Sequence, residues 1–334
     1  THRERRSLVR STPRAAVEFA FELALCATLE RETDWVLGRQ LGAAVERPGS
    51  RVMDVVGVVP SDGLEERAAI TSSRIPGLAI EAGVGVGEAV PVGDAFDCSP
   101  DHAESVVDWA VDAGFLKRER RGGRTYVRQT VRYPNWVGEL VGIENKPDLG
   151  TPGDLEHQLR FDAALGLFDE VWLATESYVT GAHLNRLPDA VGVWRFDPET
   201  GERETIREAS PLAVDEPGVE LLAEAPLQTD VALVSPAEKG QRRRRIAERA
   251  WGKGWRTYEL PSCARCSATK DGRPYCGFYD DVVDPASDCG TDCPGYAPGD
   301  APDVGAEALR DERTPWVRDP VGVARRQSGL DRFS

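Results

Sequence analysis

No apolar run in this 334-residue chain approaches the roughly 20 residues that a membrane-spanning helix needs, so no membrane partner is expected. The basic N-terminus lacks the apolar stretch of a signal peptide, which places the expected location in the cytoplasm. No internal repeat is visible, and this argues against a stacked-repeat architecture. Lysine is scarce: Lys117, Lys146, Lys239, Lys253 and Lys270 are the exceptions in a set of cations otherwise made of arginine.

Negative charge is plentiful. Asp and Glu number 56 against 41 Lys and Arg, for a net charge of −15. Taken globally, that surplus argues against a nucleic-acid partner. Spread along the whole chain and combined with few lysines, it resembles the composition of proteins from salt-loving archaea. In such a medium the Debye length shrinks to about 3 Å at 1 M, so repulsion from phosphates is screened and local basic clusters are the better guide.

The pattern along the chain predicts an α/β protein. Residues 1–14 read as a polar, Arg-rich disordered tail. A helix is expected over about 15–32, with Val17, Phe21, Leu25 and Leu29 on one face and Thr12-Pro13 as cap and first turn. The valine-rich run at 51–59 reads as a buried strand. Residues 65–132 read as an insertion. Ser99-Pro100 opens a helix carrying Ala103, Val106, Val107, Ala110 and Val111, and two strands then flank Gly122-Gly123. Strand, helix, strand and strand follow at 136–146, 154–168, 170–175 and 190–196, which indicates a mixed or parallel sheet and a core spanning 15–200. Beyond it lie a linker and helix (201–250), a Cys-rich segment (251–297) and a flexible tail (298–334).

Asp54 in one strand and Glu144-Asn145-Lys146 in another form the sharpest constellation. Alternation along a strand places Glu144 and Lys146 on one face and turns Asn145 away. Carboxylates at neighbouring strand ends suit Mg²⁺ or Mn²⁺, which prefer oxygen ligands, and the lysine suits a group that orients water or neutralises developing charge.

With the helix containing Gln158 and Phe161 and the strand EVWLATES behind it, this order resembles the PD-(D/E)XK nuclease superfamily, above all its RecB-like branch. The resemblance implies a restriction-endonuclease-like mixed sheet flanked by helices and metal-dependent hydrolysis of DNA. It assigns Asp54, Glu144 and Lys146 as catalytic and Gln158 as an orienting group. Glu22 is then the first-helix carboxylate of the metal shell, with Glu18 and Glu30 as alternatives on the same face. The interval between Asp54 and Glu144 exceeds the family's usual one, and the insertion accounts for it. The chain as a whole also resembles a haloarchaeal family, which implies no chemistry of its own.

Of seven cysteines, five fall between Cys263 and Cys293. In a cytoplasmic protein such clustering points to a metal before it points to disulfides. Zinc would take Cys263, Cys266 and two of Cys276, Cys289 and Cys293. An iron–sulfur cluster is the alternative. Some RecB-like nucleases clamp the domain with one cysteine before the core and three after it, and that resemblance makes Cys26 the partner of Cys263, Cys266 and Cys276. Cys98, isolated in the insertion, reads as structural.

Lys117, Arg118, Arg120, Arg121, Arg124 and Arg128 concentrate positive charge on the hairpin of the insertion. A helix followed by such a hairpin resembles the second half of a winged helix-turn-helix, which implies phosphate contacts from the wing. Finally, Gln327, Leu330 and Phe333 near the C-terminal end resemble the motif that docks replication and repair enzymes on the PCNA sliding clamp. One 3₁₀ turn would bring Leu330 and Phe333 to one side. The expectation is a Mg²⁺- or Mn²⁺-dependent DNA nuclease tethered to PCNA. The alternative is a non-catalytic DNA-binding regulator on a degenerate nuclease fold.

Overall fold

The computed structural model describes residues 14–150, 153–225, 227–318 and 320. Thr12-Pro13 and the motif residues Gln327, Leu330 and Phe333 lie outside the described residues.

The chain opens with α1 (Arg14–Glu32), β1 (Val36–Gly42) and β2 (Val52–Pro60). The insertion follows, with α2 (Leu64–Ala68), α3 (Gly77–Glu81), β3 (Val90–Pro91), α4 (Val92–Ala95), α5 (Pro100–Asp112), β4 (Leu116–Arg121) and β5 (Arg124–Gln129). The core resumes with β6 (Val137–Asn145), α6 (Leu155–Leu165), β7 (Glu170–Thr175), α7 (Gly181–Leu184), β8 (Gly192–Phe196) and β9 (Arg203–Arg207). A hairpin, β10 (Gly218–Ala225) and β11 (Gln228–Val234), leads to α8 (Pro236–Lys253). The last elements are β12 (Cys266–Ala268), β13 (Pro274–Cys276), β14 (Asp281–Val282), α9 (Pro285–Asp288) and α10 (Ala306–Arg313).

Six strands form one sheet in the order β1-β2-β6-β7-β8-β9. β6, β7 and β8 run parallel, and the remaining neighbours are antiparallel. The sheet is therefore mixed and flanked by helices. α1 covers one face with Phe21, Leu25 and Leu29 against Val55, Ile143 and Trp194. α6 and α8 cover the other with Leu159, Leu165, Ile246 and Trp251. Burying each such side chain contributes roughly 1.5–3 kcal/mol, so both faces are strongly held.

Three boundaries differ from expectation. β1 (sequence VLGRQLG) carries two glycines and two polar residues and gives no strand signal, yet it forms the sheet edge. α8 is anchored on the core through Trp251, and β9 extends the sheet, so 201–250 is more than a linker. The Pro/Asp/Gly-rich C-terminal stretch folds back as well. α10 forms, and Trp316 is 4 % exposed, with its indole N–H donating to Ser72 O at 2.8 Å. One buried indole outweighs a polar composition.

α1 is also more buried than one apolar face requires. Val17 is 41 % exposed, whereas the stretch from Phe21 to Glu30 is buried on all sides. Residues following α8 close over its outer face: Trp255 donates to Glu30 at 2.9 Å, and the rings of Tyr258 and Phe19 meet edge-on at 5.9 Å.

The insertion has its own core, built from Val106, Val107, Ala110, Phe115 and Val127. Its three strands lie in the order β3-β5-β4 beside α5. Gly122 and Gly123 make the β4–β5 turn at φ of +55° and +80°, which side-chain-bearing residues adopt at a cost. Arg67 clamps the module to α8 through a buried ion pair with Glu248 at 2.6 Å. Among the described residues, no helix is long and apolar enough to cross a membrane.

Candidate active site

A cleft of about 430 Å³ opens where β1, β2 and β6 meet α1 and α6. Glu18, Glu22, Asp54, Glu144, Lys146 and Gln158 all line it, drawn from positions as far apart in sequence as 18 and 158. The sequence-derived set thus converges on one place. Glu30 does not join it; its carboxylate, two turns further along α1, pairs with Arg256 at 2.6 Å.

The backbone explains the convergence. Gln40 stands opposite Asp54, between the pairs Arg39↔Val55 and Leu41↔Met53, and has a φ of +54°. This left-handed residue reverses the alternation of β1. Arg39 and Gln40 in succession both reach Glu22 on α1, while Leu41 drops into the opposite core. β2 is reversed at the same level: Val55 packs under α1, Met53 and Val56 under α6 and α8. The paired reversal places Gln40 Nε2 3.0 Å from Glu22 and 3.1 Å from Asp54.

Asn145 corrects the expected geometry. It faces α1, donating from Nδ2 to Glu22 at 2.7 Å and from its backbone N–H to Asp54 at 3.0 Å. β6 ends there, so strand alternation no longer governs Lys146, whose Nζ donates to Glu18 at 2.8 Å. Glu144 faces the other side, where Arg51 holds it at 2.7 Å and Asp162 of α6 at 2.6 Å. Sequence pattern alone gives no role to Arg51, Arg39, Gln40 or Asn145. Their signal is tertiary, because each acts through a carboxylate remote in sequence.

Burial dominates the electrostatics. It pushes the Glu22 carboxyl up to about 8, with the Asp54 charge adding to the rise and Arg39, Gln40 and Asn145 opposing it. Burial and the Asp54 charge likewise raise Glu144 to about 8 against the pull of Arg51. Asp54 is raised by burial too. For Arg51 burial works against the charge, but Asp162 and Glu144 outweigh it.

Two acceptors in the cleft lack partners among the described residues: Glu22 Oε1 and Asn145 Oδ1. Arg39 Nε stands 3.0 Å from Glu22 Oε1 but is not aligned as a donor, so both atoms stay unsatisfied. As the side chains stand, no three acidic, histidine or cysteine residues among those described are grouped to hold one ion. Glu144 is turned to Arg51 instead.

The cysteines divide. Cys26 is fully buried in α1 among Leu23, Leu25 and Trp255, and the charges acting on its thiol are Glu22, Arg39, Glu30 and Arg256. The expected clamp of Cys26 with the later cysteines is not formed, because α1 turns this side chain into the apolar layer. The five from Cys263 to Cys293 share one segment, though as their side chains stand no three of them are grouped to hold an ion. Cys266 and Cys276 face each other across β12 and β13. Burial and the neighbouring Cys276 and Cys263 raise the Cys266 thiol to about 11. Burial, then Cys276 and Cys266, raise Cys289 to about 12, with Asp288 and Cys293 adding. Asp284, from the same segment, reaches the rim of the cleft.

Half of the basic hairpin's cations are paired within the insertion. Arg118 pairs with Asp108 and Glu104, and Arg121 and Arg128 both pair with Glu119. The exposed face of α5 adds Asp101 and Asp112.

Comparison with known proteins finds one relation. The profile described as "Family of unknown function (DUF5787)" matches residues 36–298, from β1 to the end of the Cys-rich segment. No curated protein and no solved structure matches.

Proposed function

This chain belongs to the DUF5787 family, and we propose that it is a metal-dependent phosphodiesterase acting on DNA. The observation that carries this reading is the convergence of Glu22, Asp54, Glu144, Lys146 and Gln158 on one cleft at the reversed edge of the sheet.

The donor chemistry fits a hard divalent cation. The Asp54 charge raises the proton affinity of both Glu22 and Glu144, and two buried oxygens, Glu22 Oε1 and Asn145 Oδ1, accept no hydrogen bond among the described residues. Glu22 and Asp54 would hold the ion, joined by Glu144 when it leaves Arg51. Mg²⁺ or Mn²⁺, when bound, supplies Lewis acidity toward the scissile phosphate. The chain's own groups do the rest. Arg51 and Asp162 fix the resting position of Glu144, Asn145 and Gln40 aim Glu22 and Asp54, and Lys146 at the rim holds a water or balances charge building on phosphate oxygen.

Five cysteines in one segment, with Cys266 facing Cys276 and neighbouring thiols acting on Cys266 and Cys289, support a separate structural site for zinc or an iron–sulfur cluster, with Cys263, Cys266, Cys276 and Cys289 as first choice of ligands once their side chains close on the ion. The β3-β5-β4 order beside α5 supports a winged-helix reading of the insertion. Its acidic outer helix and paired arginines do not favour the regulator alternative. Tethering to PCNA through Gln327, Leu330 and Phe333 remains part of the proposal.

The test is cleavage of labelled single-stranded, duplex and flap DNA with Mn²⁺ or Mg²⁺ in molar KCl, parent against Lys146→Ala. A rate loss of about 10²-fold or more is expected, the scale of removing one preorganised electrostatic group. Equal rates in the two proteins, or no cleavage by folded parent, would overturn the reading.

A further inference from the structure

The run Arg242-Arg243-Arg244-Arg245 opens the middle of α8, and its charges meet very different fates. Arg243 pairs with Asp169, and Arg245 with Glu81. Arg242 and Arg249, two turns apart on one flank of the helix, have no carboxylate within ion-pair distance among the described residues. A β-carbon on Gly42 would stand 3.0 Å from Arg242 Nη2 and 3.6 Å from Arg249 Nη1, so both guanidiniums crowd the edge of β1. Glu220 faces this pair but spends its oxygens on the backbone N–H groups of Val45, Glu46 and Arg47. Arg242 Nε is buried without a partner.

The like charges continue in both directions. One turn past Arg249, Lys253 donates to the carbonyls of Arg39 and Gln40 at 2.8 and 3.2 Å, which sets it against the backbone of two residues that line the cleft. On the other side, Gly252 lets the backbone of Arg74 approach: a β-carbon there would lie 2.9 Å from Arg74 N. The Arg74 guanidinium covers Trp109 at 4.0 Å, and Trp109 is 39 % exposed at the edge of a second cleft of about 350 Å³. In a chain of net charge −15, four cations on this flank (Arg74, Arg242, Arg249 and Lys253) without an ion-pair carboxylate among the described residues are an anomaly. Burial first, then the Arg249 charge, lowers Arg74 against the pull of Glu248, and burial, Arg39 and Arg249 lower Lys253 against the pull of Glu22.

We infer that this flank of α8 is the bed for a single DNA strand, with phosphates on Arg74, Arg249 and Lys253 and an unpaired base on Trp109, leading into the carboxylate cleft. An exposed indole beside an arginine plane suits base stacking, which a paired base cannot offer. From Arg242 to Lys253 the helix rises about 16 Å at 1.5 Å per residue, room for several phosphates of one strand. The inference rests on the nuclease reading for what happens at the end of the bed, but the binding stands or falls by itself.

The experiment is fluorescence anisotropy of a labelled, mixed-sequence single-stranded oligodeoxynucleotide with chelator present, over a series of KCl concentrations. The parent is compared with Arg74→Gln/Arg249→Gln. The double variant is expected to bind at least tenfold more weakly. Its plot of log affinity against log salt should be shallower by about 1.4, roughly 0.7 for each phosphate of a single strand that is no longer neutralised. Arg249→Lys should keep the parental slope, and Trp109→Ala should weaken binding about fivefold or more. Should the double variant fail to fold by circular dichroism, the Arg249→Lys and Trp109→Ala arms decide. Parental affinity and slope in the double variant, parental affinity in Trp109→Ala, a preference for blunt duplex, or no binding by folded parent would each overturn the inference. A parent that binds in this way but never cleaves would overturn the nuclease reading alone.

Discussion

Glu144 is the residue on which the proposed chemistry of the cleft turns. Its carboxyl is raised from 4.5 to about 8 by burial and by Asp54, so between these values the folded protein holds a proton that the unfolded chain releases. Stability in the presence of chelator therefore falls as pH rises through that window, and the loss is complete above about 8. Glu144→Gln removes the ionisable group while Arg51 keeps Asp162. Thermal unfolding of the parent at pH 5 and pH 9 should show the decline. In Glu144→Gln the decline should be smaller by about 1 kcal/mol or more, since a tenfold change in proton affinity is worth about 1.36 kcal/mol. An unchanged pH dependence would mean that the carboxylate is better solvated than its burial implies. The same substitution should abolish cleavage.

At the scale of the element, the paired reversal at Gln40 and Asp54 is what makes a site out of a sheet edge. A left-handed conformation costs a residue with a side chain roughly 1–2 kcal/mol, and glycine adopts it freely. Both Gln40→Gly and Gln40→Ala lose the bonds to Glu22 and Asp54, but only alanine keeps the strain. Urea titration should find Gln40→Ala less stable than Gln40→Gly by about 1 kcal/mol; equal stability would show that the backbone relaxes at no cost. This reversal also separates what is legible in the sequence from what is not. Asp54, Glu144 and Lys146 stand out because a carboxylate beside a valine run and an E-x-K triplet are local patterns. Strict alternation wrongly keeps Lys146 on the face of Glu144, because it ceases to hold where β6 ends at Asn145. Arg39, Gln40 and β1 escape a sequence reading because nothing local marks a polar, glycine-bearing edge strand. The arginines of α8 escape it too, since charge along a helix reads as a solvated face until its missing partners are seen.

At the scale of the whole molecule, the C-terminal stretch binds the layers together. Trp316 reaches the strand-flanking segment at Ser72, and α10 lies against the end of α8, where Arg310 donates to Ala250 O at 3.1 Å. Trp316→Ala should cost about 3 kcal/mol, the low end for emptying a buried tryptophan site. Thermal unfolding in concentrated KCl would measure it, and a loss below about 1 kcal/mol would show that the segment is dispensable. The mixed sheet, the flanking helices and the helix–hairpin pattern of the insertion are all legible from periodicity. The docking of α10 is not, since a proline- and aspartate-rich composition conceals a single anchoring indole.

Arg51 has a consequence for ion choice. A hollow lined with carboxylates in concentrated potassium chloride would ordinarily fill with potassium. Here one guanidinium is already seated on Glu144 and Asp162 and, being part of the chain, is never diluted away. An incoming ion must evict it. A singly charged, loosely coordinating alkali ion gains too little from the carboxylates to do so, whereas a doubly charged one gains far more. If the cleft takes a divalent ion as proposed, the arginine would act as a built-in competitor that sets a threshold of charge, and the saltier the medium, the more such a threshold would matter.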